Sequence, residues 1–317
     1  MSNSNLFHKW SIATIICIYM VIIAGGVVRC TGSGMGCPDW PKCFGSWVPP
    51  TDISQLPLNY VEKYSKGGTL DVSFNVYKTW TEYINRLIGA ISGLSIIVMV
   101  ILAIWNYGFK SKVFLFSIIS LVFIIIQGWL GAKVVATNLS PYMITIHMFL
   151  ALVIVSTLIS AYVIAANENV GIDKQRLFGL KWMFLIVGVV CLIQILFGTQ
   201  VRQQVDVLVK NGELRNVIVE KLDYIFMSHR IIAWIVVLFI GIICYRLIQY
   251  DFKFWSIVLG LIVLIEFVSG VLLTYLGLPY LVQPIHLVLA ALIYGIVFYL
   301  GFLFWIKQIF VNRDGVI

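Results

Sequence analysis

Long apolar runs alternate with short polar segments along almost the whole chain. A run of about 20 apolar residues is long enough to cross the hydrocarbon core of a bilayer as a helix. The runs predict eight spanning helices, at residues 10–29, 83–106, 113–136, 141–166, 179–201, 224–249, 254–276 and 282–306. The first run lacks a clear small-residue cleavage site and is long for a secretory signal, so we expect it to be retained.

The composition agrees with this pattern. Hydrophobic residues make up 61% of the chain and charged residues only 11%, whereas soluble domains contain about 25% charged residues. The sequence therefore predicts an all-α membrane protein that crosses the cell membrane several times, with the lipid bilayer around it. The net charge of +8 comes mostly from Lys and Arg near helix ends. No basic run is dense enough to predict nucleic-acid binding.

The positions of lysine and arginine predict the orientation. Three short connections contain these residues, at 107–112, 167–181 and 250–253, and two contain none, at 137–140 and 277–281. Because positive residues favour the cytoplasmic side, we expect both termini in the cytoplasm. The longer connections at 30–81 and 202–223 would then face outward, although they also carry positive residues.

An internal repeat relates the two halves of the chain. The segment QGWLGAKVVATNLSPYMITIHMFLA at 127–151 aligns without gaps with EFVSGVLLTYLGLPYLVQPIHLVLA at 266–290, at an offset of 139 residues. This alignment pairs Gly131 with Gly270, His147 with His286, and Gln127 with Glu266. Such a repeat places binding sites at equivalent positions of the two halves.

The repeat continues upstream, where it pairs Asn85 with His229, Arg86 with Arg230, and the GGVVR motif ending at Arg29 with GTQVR ending at Arg202. Each half would hold four helices. We therefore predict two pseudo-symmetric four-helix bundles, at residues 1–170 and 171–317.

Three of the four histidines, His147, His229 and His286, lie in predicted helices at a similar depth, about 8 Å inside the outer ends at 1.5 Å rise per residue. A single histidine in a membrane helix most often makes an interhelical hydrogen bond. For His229 and His286, on two helices of one bundle, we favour axial ligation of a haem iron. The porphyrin would supply the other four ligands, whereas bare Zn²⁺ would need more protein ligands.

In the first half, the partner expected for His147 is Asn85, a poor iron ligand, so a haem there would be held from one side with room for chemistry. Glu82 lies three residues before Asn85 and faces the same way on a helix. A carboxylate beside a macrocycle can act as a base or stabilise a developing cation, which makes Glu82 the catalytic candidate. The alternative is an ion pair with Arg86 at i+4.

Arginines near the outer helix ends, above all Arg230 and Arg86, can pair with haem propionates. The alternative is that their side chains extend to lipid headgroups. In the first outer loop, Cys37 and Cys43 can close a short disulfide in an oxidising compartment. An exposed disulfide of this kind can be structural or redox-active.

Together these motifs resemble the haem A synthase family. The motifs are GGVVRCTGSGMGCPDWPKC after the first span, EYINR at 82–86, QGWLGAKVV before His147, HR at 229–230 and PIH at 284–286. The resemblance covers nearly the whole chain. It implies oxidation of the C8 methyl group of haem o to a formyl group, which gives haem a for terminal oxidases.

The resemblance also implies roles for individual residues. A haem b cofactor would be ligated by His229 and His286, and the substrate haem o would lie near His147 and Glu82, below the cysteine loop. Haem o synthase and an electron acceptor of the same membrane are the implied partners. The chain departs from the family at Asn85, where a histidine is usual, so iron coordination from this side is not carried over.

The residues leave two other functions open. The first is a b-type cytochrome that carries electrons in the membrane without modifying a porphyrin. The second is a transporter built on a parallel repeat, with its polar layer binding a solute.

Overall fold

The computed structural model describes residues 3–65, 73–166 and 174–314. Within these ranges the chain forms α-helices, two short 3₁₀ turns and no β-strand. The helices are α1 (Asn3–Cys30), α2 (Tyr60–Tyr64), α3 (Val76–Tyr107), α4 (Lys112–Ala136), α5 (Pro141–Ala166), α6 (Lys174–Lys210), α7 (Arg215–Ile218), α8 (Tyr224–Gln249), α9 (Lys253–Tyr275) and α10 (Val282–Asp314).

Eight of these helices are long and apolar enough to cross a membrane, namely all except the short α2 and α7. Each contains one predicted span, and the bounds of α4, α5, α8 and α9 differ from the prediction by at most one residue. Large apolar side chains remain exposed along them, as expected for a surface that faces lipid tails. The predicted all-α membrane fold with eight transmembrane helices is confirmed.

Helix α3 begins at Val76, seven residues before the predicted start at 83. The side-chain oxygen of Asn75 accepts a hydrogen bond from the backbone N–H of Lys78 at 3.1 Å and caps this end. The polar first turns were predicted as loop because they lack an apolar run. As a result, Glu82 and Asn85 lie well inside a helix and not at its beginning.

Helix α6 continues to Lys210, beyond the predicted end at 201. The predicted outer connection at 202–223 is therefore partly helical. Arg202 lies within this extension, where it pairs with Asp206 at 2.7 Å and donates a hydrogen bond to Gln283 Oε1 at 2.7 Å. These polar contacts stabilise a helical segment that hydrophobicity alone does not predict.

The described residues pack into two compact units. The first comprises Met1–Phe109 with Ser117–Ile154, and the second comprises Lys110–Phe116 with Val155–Ile317. In the first unit α1 packs along α3, and in the second α6 and α9 each contact both α8 and α10, which closes a ring of four helices. The predicted boundary between residues 170 and 171 lies outside the described residues.

The turns after α4 and α9 share an unusual backbone geometry at repeat-equivalent positions. Leu139 has φ 60° and Leu278 has φ 59°, values in the left-handed region. Each leucine N–H bonds a carbonyl five residues back, that of Val134 at 2.9 Å and that of Leu273 at 3.3 Å. This arrangement is typical of a helix C-cap. The local match agrees with the repeat, while the pseudo-symmetry of the complete bundles stays a prediction.

Candidate functional site

A disulfide-closed loop follows α1 in the first unit. The predicted bond between Cys37 and Cys43 is present, with Cα atoms 4.8 Å apart, and both residues are buried. The carboxylate of Asp39 accepts hydrogen bonds from the backbone N–H groups of Phe44 at 2.6 Å and Gly45 at 2.8 Å. The loop thus has an internal scaffold of one covalent bond and two charge-assisted hydrogen bonds.

Arg86 on α3 binds the backbone of this loop. Its guanidinium donates to the backbone carbonyls of Cys37 at 3.0 Å, Asp39 at 2.7 Å and Lys42 at 3.0 Å. A further N–H donates to Glu82 Oε1 at 2.5 Å. These four bonds engage both terminal nitrogens of the guanidinium. The geometry makes Arg86 an anchor for the loop, and its pairing with a haem propionate stays a prediction.

Glu82 is 4% exposed, and each of its carboxylate oxygens has a protein partner. Oε1 accepts from Arg86, so the ion pair considered as an alternative is present. Oε2 accepts from the backbone N–H of Cys37 at 2.8 Å, a contact that the sequence did not predict. Because a buried carboxylate is costly without such partners, the two bonds fix Glu82 directly beneath the disulfide.

Gly36 allows the loop to approach α3 this closely. A Cβ atom at this position would lie 2.4 Å from the carbonyl oxygen of Lys78, which is backbone and cannot rotate away. The Thr79 hydroxyl donates a hydrogen bond to the Gly36 carbonyl at 2.8 Å. The glycine next to the cysteine therefore sets the height of the disulfide above Glu82.

His147 on α5 and Asn85 on α3 each lie against a glycine of a neighbouring helix. A Cβ at Gly131 would be 3.5 Å from His147 Cε1, and one at Gly25 would be 3.9 Å from Asn85 Oδ1. Among the described residues, the buried His147 Nδ1 and Asn85 Oδ1 have no hydrogen-bond partner. Since buried polar atoms are normally satisfied, Asn85 Oδ1 marks a place where a ligand could donate a hydrogen bond, while His147 lacks a partner on its Nδ1 side.

His229 on α8 and His286 on α10 lie together in the second unit, with ring centroids 6.4 Å apart. Two imidazoles that ligate one metal ion from opposite sides have centroids about 6 Å apart, because each metal–nitrogen bond is about 2 Å and each centroid lies about 1 Å further. Glycines again leave room for the rings. A Cβ at Gly198 would be 3.2 Å from His229 Cε1, and one at Gly270 would be 3.3 Å from His286 Cε1.

This pair fits a haem better than a bare metal ion. In the part of the chain that the structure describes, no group of three or more His, Cys, Asp or Glu side chains could hold a metal ion. Two imidazoles with centroids 6.4 Å apart suit an ion that brings its own four equatorial nitrogens. The predicted propionate partner Arg230 lies next to His229 with its guanidinium 5.6 Å from the Phe226 ring, and its pairing stays a prediction.

The two histidines of the second unit differ in their support. The Gln194 side-chain amide donates to the backbone carbonyl of His229 at 3.0 Å. His286 Nδ1 lies 2.7 Å from Ser269 Oγ and 3.2 Å from Glu266 Oε2. The sequence had indicated no role for Glu266 or Ser269. The repeat aligns Glu266 with Gln127, which signals a shared polar position but not its contact with a histidine.

Sequence reasoning also missed the four glycines that face the proposed ligand positions. Gly131 and Gly270 are paired by the repeat, as are Gly25 and Gly198 at the start of the GGVVR and GTQVR motifs. A glycine kept at equivalent positions of both halves was the available signal. Its meaning depends on which side chain the neighbouring helix presents.

Comparison with known proteins identifies the family of this chain. Residues 8–298 match the COX15-CtaA family model, described as cytochrome oxidase assembly protein. The chain is 26% identical over 312 residues to the haem A synthase of Geobacillus kaustophilus, covering 92% of this chain and 90% of that protein. It is 24% identical over 308 residues to the haem A synthase of Listeria welshimeri, covering 92% and 93%. Because the family model spans most of its length, this chain belongs to the COX15-CtaA family of cytochrome oxidase assembly proteins.

Proposed function

We propose that this membrane protein is a haem A synthase, an oxidoreductase that converts the C8 methyl group of haem o to a formyl group. Relatives that carry this name support the proposal. The structural observation that carries it is the asymmetry between the units. One unit brings His229 and His286 to metal-bridging distance. In the other, the repeat makes Asn85 the counterpart of His229 as the partner of His147, and this unit also holds the buried carboxylate Glu82.

The reaction requires both electron and proton removal. Conversion of R–CH₃ and H₂O to R–CHO releases four protons and four electrons, through a hydroxymethyl group and a hydrated aldehyde. The electrons go to an electron acceptor of the same membrane. Haem b, when held by His229 and His286, supplies one-electron transfer. A base near the methyl group accelerates proton loss.

Within the first unit, His147 would hold the substrate iron, and Asn85, which the repeat pairs with His229, would not supply a second strong ligand. Glu82 would receive protons from the methyl carbon or stabilise positive charge that develops there. The Arg86 guanidinium and the Cys37 N–H hold the carboxylate in one position, so it needs no reorganisation during the reaction. The loop therefore serves the site by positioning Glu82.

The disulfide supports an orientation for the chain. Disulfides persist in oxidising compartments, so the loop with Cys37 and Cys43 would face the outside of the cell. With an even number of spans, both termini then lie in the cytoplasm. Haem o is apolar and poorly soluble in water, which favours its direct delivery from a haem o synthase in the same membrane.

The test is expression in a host that makes haem o but no haem a, followed by chromatography of the extracted haems. Haem a should form with the wild-type chain and not with an empty vector. A purified protein that contains only b-type haem and never yields haem a would indicate an electron carrier. A protein without any haem would indicate a transporter. Either result would contradict the proposal.

The glycines beneath the histidines provide a second test. Gly198→Ala or Gly270→Ala should lower the affinity for haem b about tenfold, because overpacking of a tight contact costs about 1–3 kcal/mol. The haem-to-protein ratio of purified protein, taken from reduced-minus-oxidised spectra at limiting haem, measures the change. Gly241→Ala in α8 is the matched control, since a Cβ there would meet nothing within 4 Å. Equal haem content in all three variants would contradict the packing argument.

A further inference from the structure

Behind His286, on the side of its Nδ1 atom, lie two side chains of α9 whose role the proposed function leaves open. Ser269 Oγ is 2.7 Å from His286 Nδ1, and Glu266 Oε2 is 3.2 Å from the same atom. Ser269 is 4% exposed, and the Glu266 side chain is 17% exposed. The imidazole is therefore backed by a hydroxyl and a carboxylate on one helix.

Two contacts favour the proton of a neutral His286 on Nδ1. Glu266 Oε2, a carboxylate oxygen and therefore an acceptor, lies 3.2 Å from Nδ1. The Ser269 hydroxyl can donate its single hydrogen to the backbone carbonyl of Glu266 at 2.6 Å, which leaves Ser269 Oγ to accept from Nδ1–H at 2.7 Å. The Nε2 atom keeps its lone pair and is available to a metal. A ligating imidazole that donates its other N–H in this way is a stronger donor.

His147, the equivalent histidine of the first unit, has neither a carboxylate nor a hydroxyl at these two positions. The repeat offset places Gln127 at the position of Glu266 and Leu130 at the position of Ser269. Gln127 uses its amide N–H to bind the backbone carbonyl of His147 at 3.0 Å. Within the described residues, neither His147 Nδ1 nor His229 Nδ1 has a hydrogen-bond partner, so of these three helix histidines only His286 has such support.

The rest of the two environments is similar. A Cβ atom added at Gly131 would lie 3.5 Å from Cε1 of His147, and one added at Gly270 would lie 3.3 Å from Cε1 of His286. Both histidines also follow the same left-handed turn. The difference between the two histidines therefore lies in two side chains of the preceding helix.

We propose that Glu266 and Ser269 are positioning residues that make His286 a strong, permanent iron ligand, and that Gln127 and Leu130 leave His147 a weak ligand, suited to a haem that enters and leaves. This inference rests on the proposed function, in which one haem is resident and the other is substrate. A permanent cofactor needs slow dissociation, whereas a substrate site must release its product. Donation from Nδ1–H to Ser269 Oγ, with the Glu266 carboxylate 3.2 Å from the same nitrogen, favours the ferric over the ferrous state, because the more basic imidazole stabilises the higher charge.

The main experiment measures the midpoint potential of haem b in the purified, full-length protein with Glu266→Gln. Loss of such a partner typically weakens metal binding about 10- to 100-fold. If the affinity of the protein for the ferric haem alone falls about tenfold, the midpoint potential rises by about 59 mV for a one-electron couple. Ser269→Ala should shift the potential in the same direction. Glu213→Gln, which removes a carboxylate paired with Lys221 at 2.5 Å in the same unit, is the matched control and should leave it unchanged.

A reciprocal variant tests the first unit. Gln127→Glu combined with Leu130→Ser should slow the dissociation of haem from His147 about tenfold, measured as transfer to apomyoglobin. Wild-type potentials in both Glu266→Gln and Ser269→Ala, or unchanged dissociation in the reciprocal variant, would overturn the inference. These readouts do not depend on turnover. Failure of the proposed function would instead appear as absence of haem a with the wild-type chain.

Discussion

Replacement of Glu82 by glutamine is expected to reduce the yield of haem a at least about 100-fold, because a positioned general base typically contributes about 10²- to 10⁴-fold to a rate. Glutamine has nearly the same size, and its side-chain oxygen can still accept the Cys37 N–H. It cannot take up a proton or balance positive charge. The measurement is chromatography of haems extracted from a host that supplies haem o, with haem b content recorded by difference spectroscopy.

A control is needed because Glu82 also holds the disulfide loop. Arg86→Ala removes the bonds to three loop carbonyls and should expose the disulfide, so that a phosphine reductant cleaves it faster. Glu82→Gln should keep a reduction rate close to that of the wild type. A wild-type yield of haem a in Glu82→Gln would refute the catalytic assignment. The assignment would also be refuted if Glu82→Gln lost haem a and its disulfide were reduced as fast as that of Arg86→Ala, because the loss would then follow from a displaced loop.

Replacement of His286 by alanine is expected to remove haem b from the purified protein, with at least about a 100-fold loss of affinity, because loss of a ligand exceeds the effect of losing its hydrogen-bond partner. His229→Ala should have the same effect, since the two rings lie 6.4 Å apart and would share one iron. The readout is the haem b signal per protein in reduced-minus-oxidised spectra.

His147→Ala is the matched comparison in the first unit. It should retain haem b and fail to yield haem a, which separates the resident cofactor from the substrate. A normal b-type spectrum in His286→Ala would contradict the assignment of this residue as an axial ligand. Loss of haem b in His147→Ala would contradict the division of roles between the units.

Much of the fold could be predicted because lipid imposes a simple rule on the chain. A backbone in hydrocarbon must satisfy its own hydrogen bonds, so each long apolar run becomes a helix. The rule fails where polar residues continue a helix beyond the lipid. Helix α3, capped by Asn75, begins seven residues before the predicted start, and α6 extends through Arg202 to Lys210, both outside the apolar runs.

The candidate site could be predicted in part. The repeat identified His147, His229 and His286 as equivalent or complementary positions. The i+4 spacing of Glu82 and Arg86 raised their ion pair as the alternative to a catalytic role, and the structure contains that ion pair. The disulfide between Cys37 and Cys43 also followed from the sequence. Each of these inferences depends on residues near in sequence or on a gapless internal match.

Contacts between segments that are distant in sequence could not be predicted and are seen only in the tertiary structure. Residues 44–75 separate the cysteine loop from α3, and only the fold brings the Cys37 N–H to Glu82. Likewise, Glu266 and His286 lie on different helices, and their contact depends on the rotation of each helix about its axis. Hydrophobicity hardly restrains that rotation when helices are apolar on every side.

The amino-acid sequence alone determines the number of membrane crossings, the duplicated pattern and the residue types able to bind iron, because these follow from local polarity and from comparison of the chain with itself. The tertiary structure decides which of these residues meet. It places Glu82 beneath the disulfide and gives His286 a carboxylate and a hydroxyl while leaving His147 without them. The physical reason is that hydrogen bonds act over about 3 Å, so helix register determines which side chains can interact.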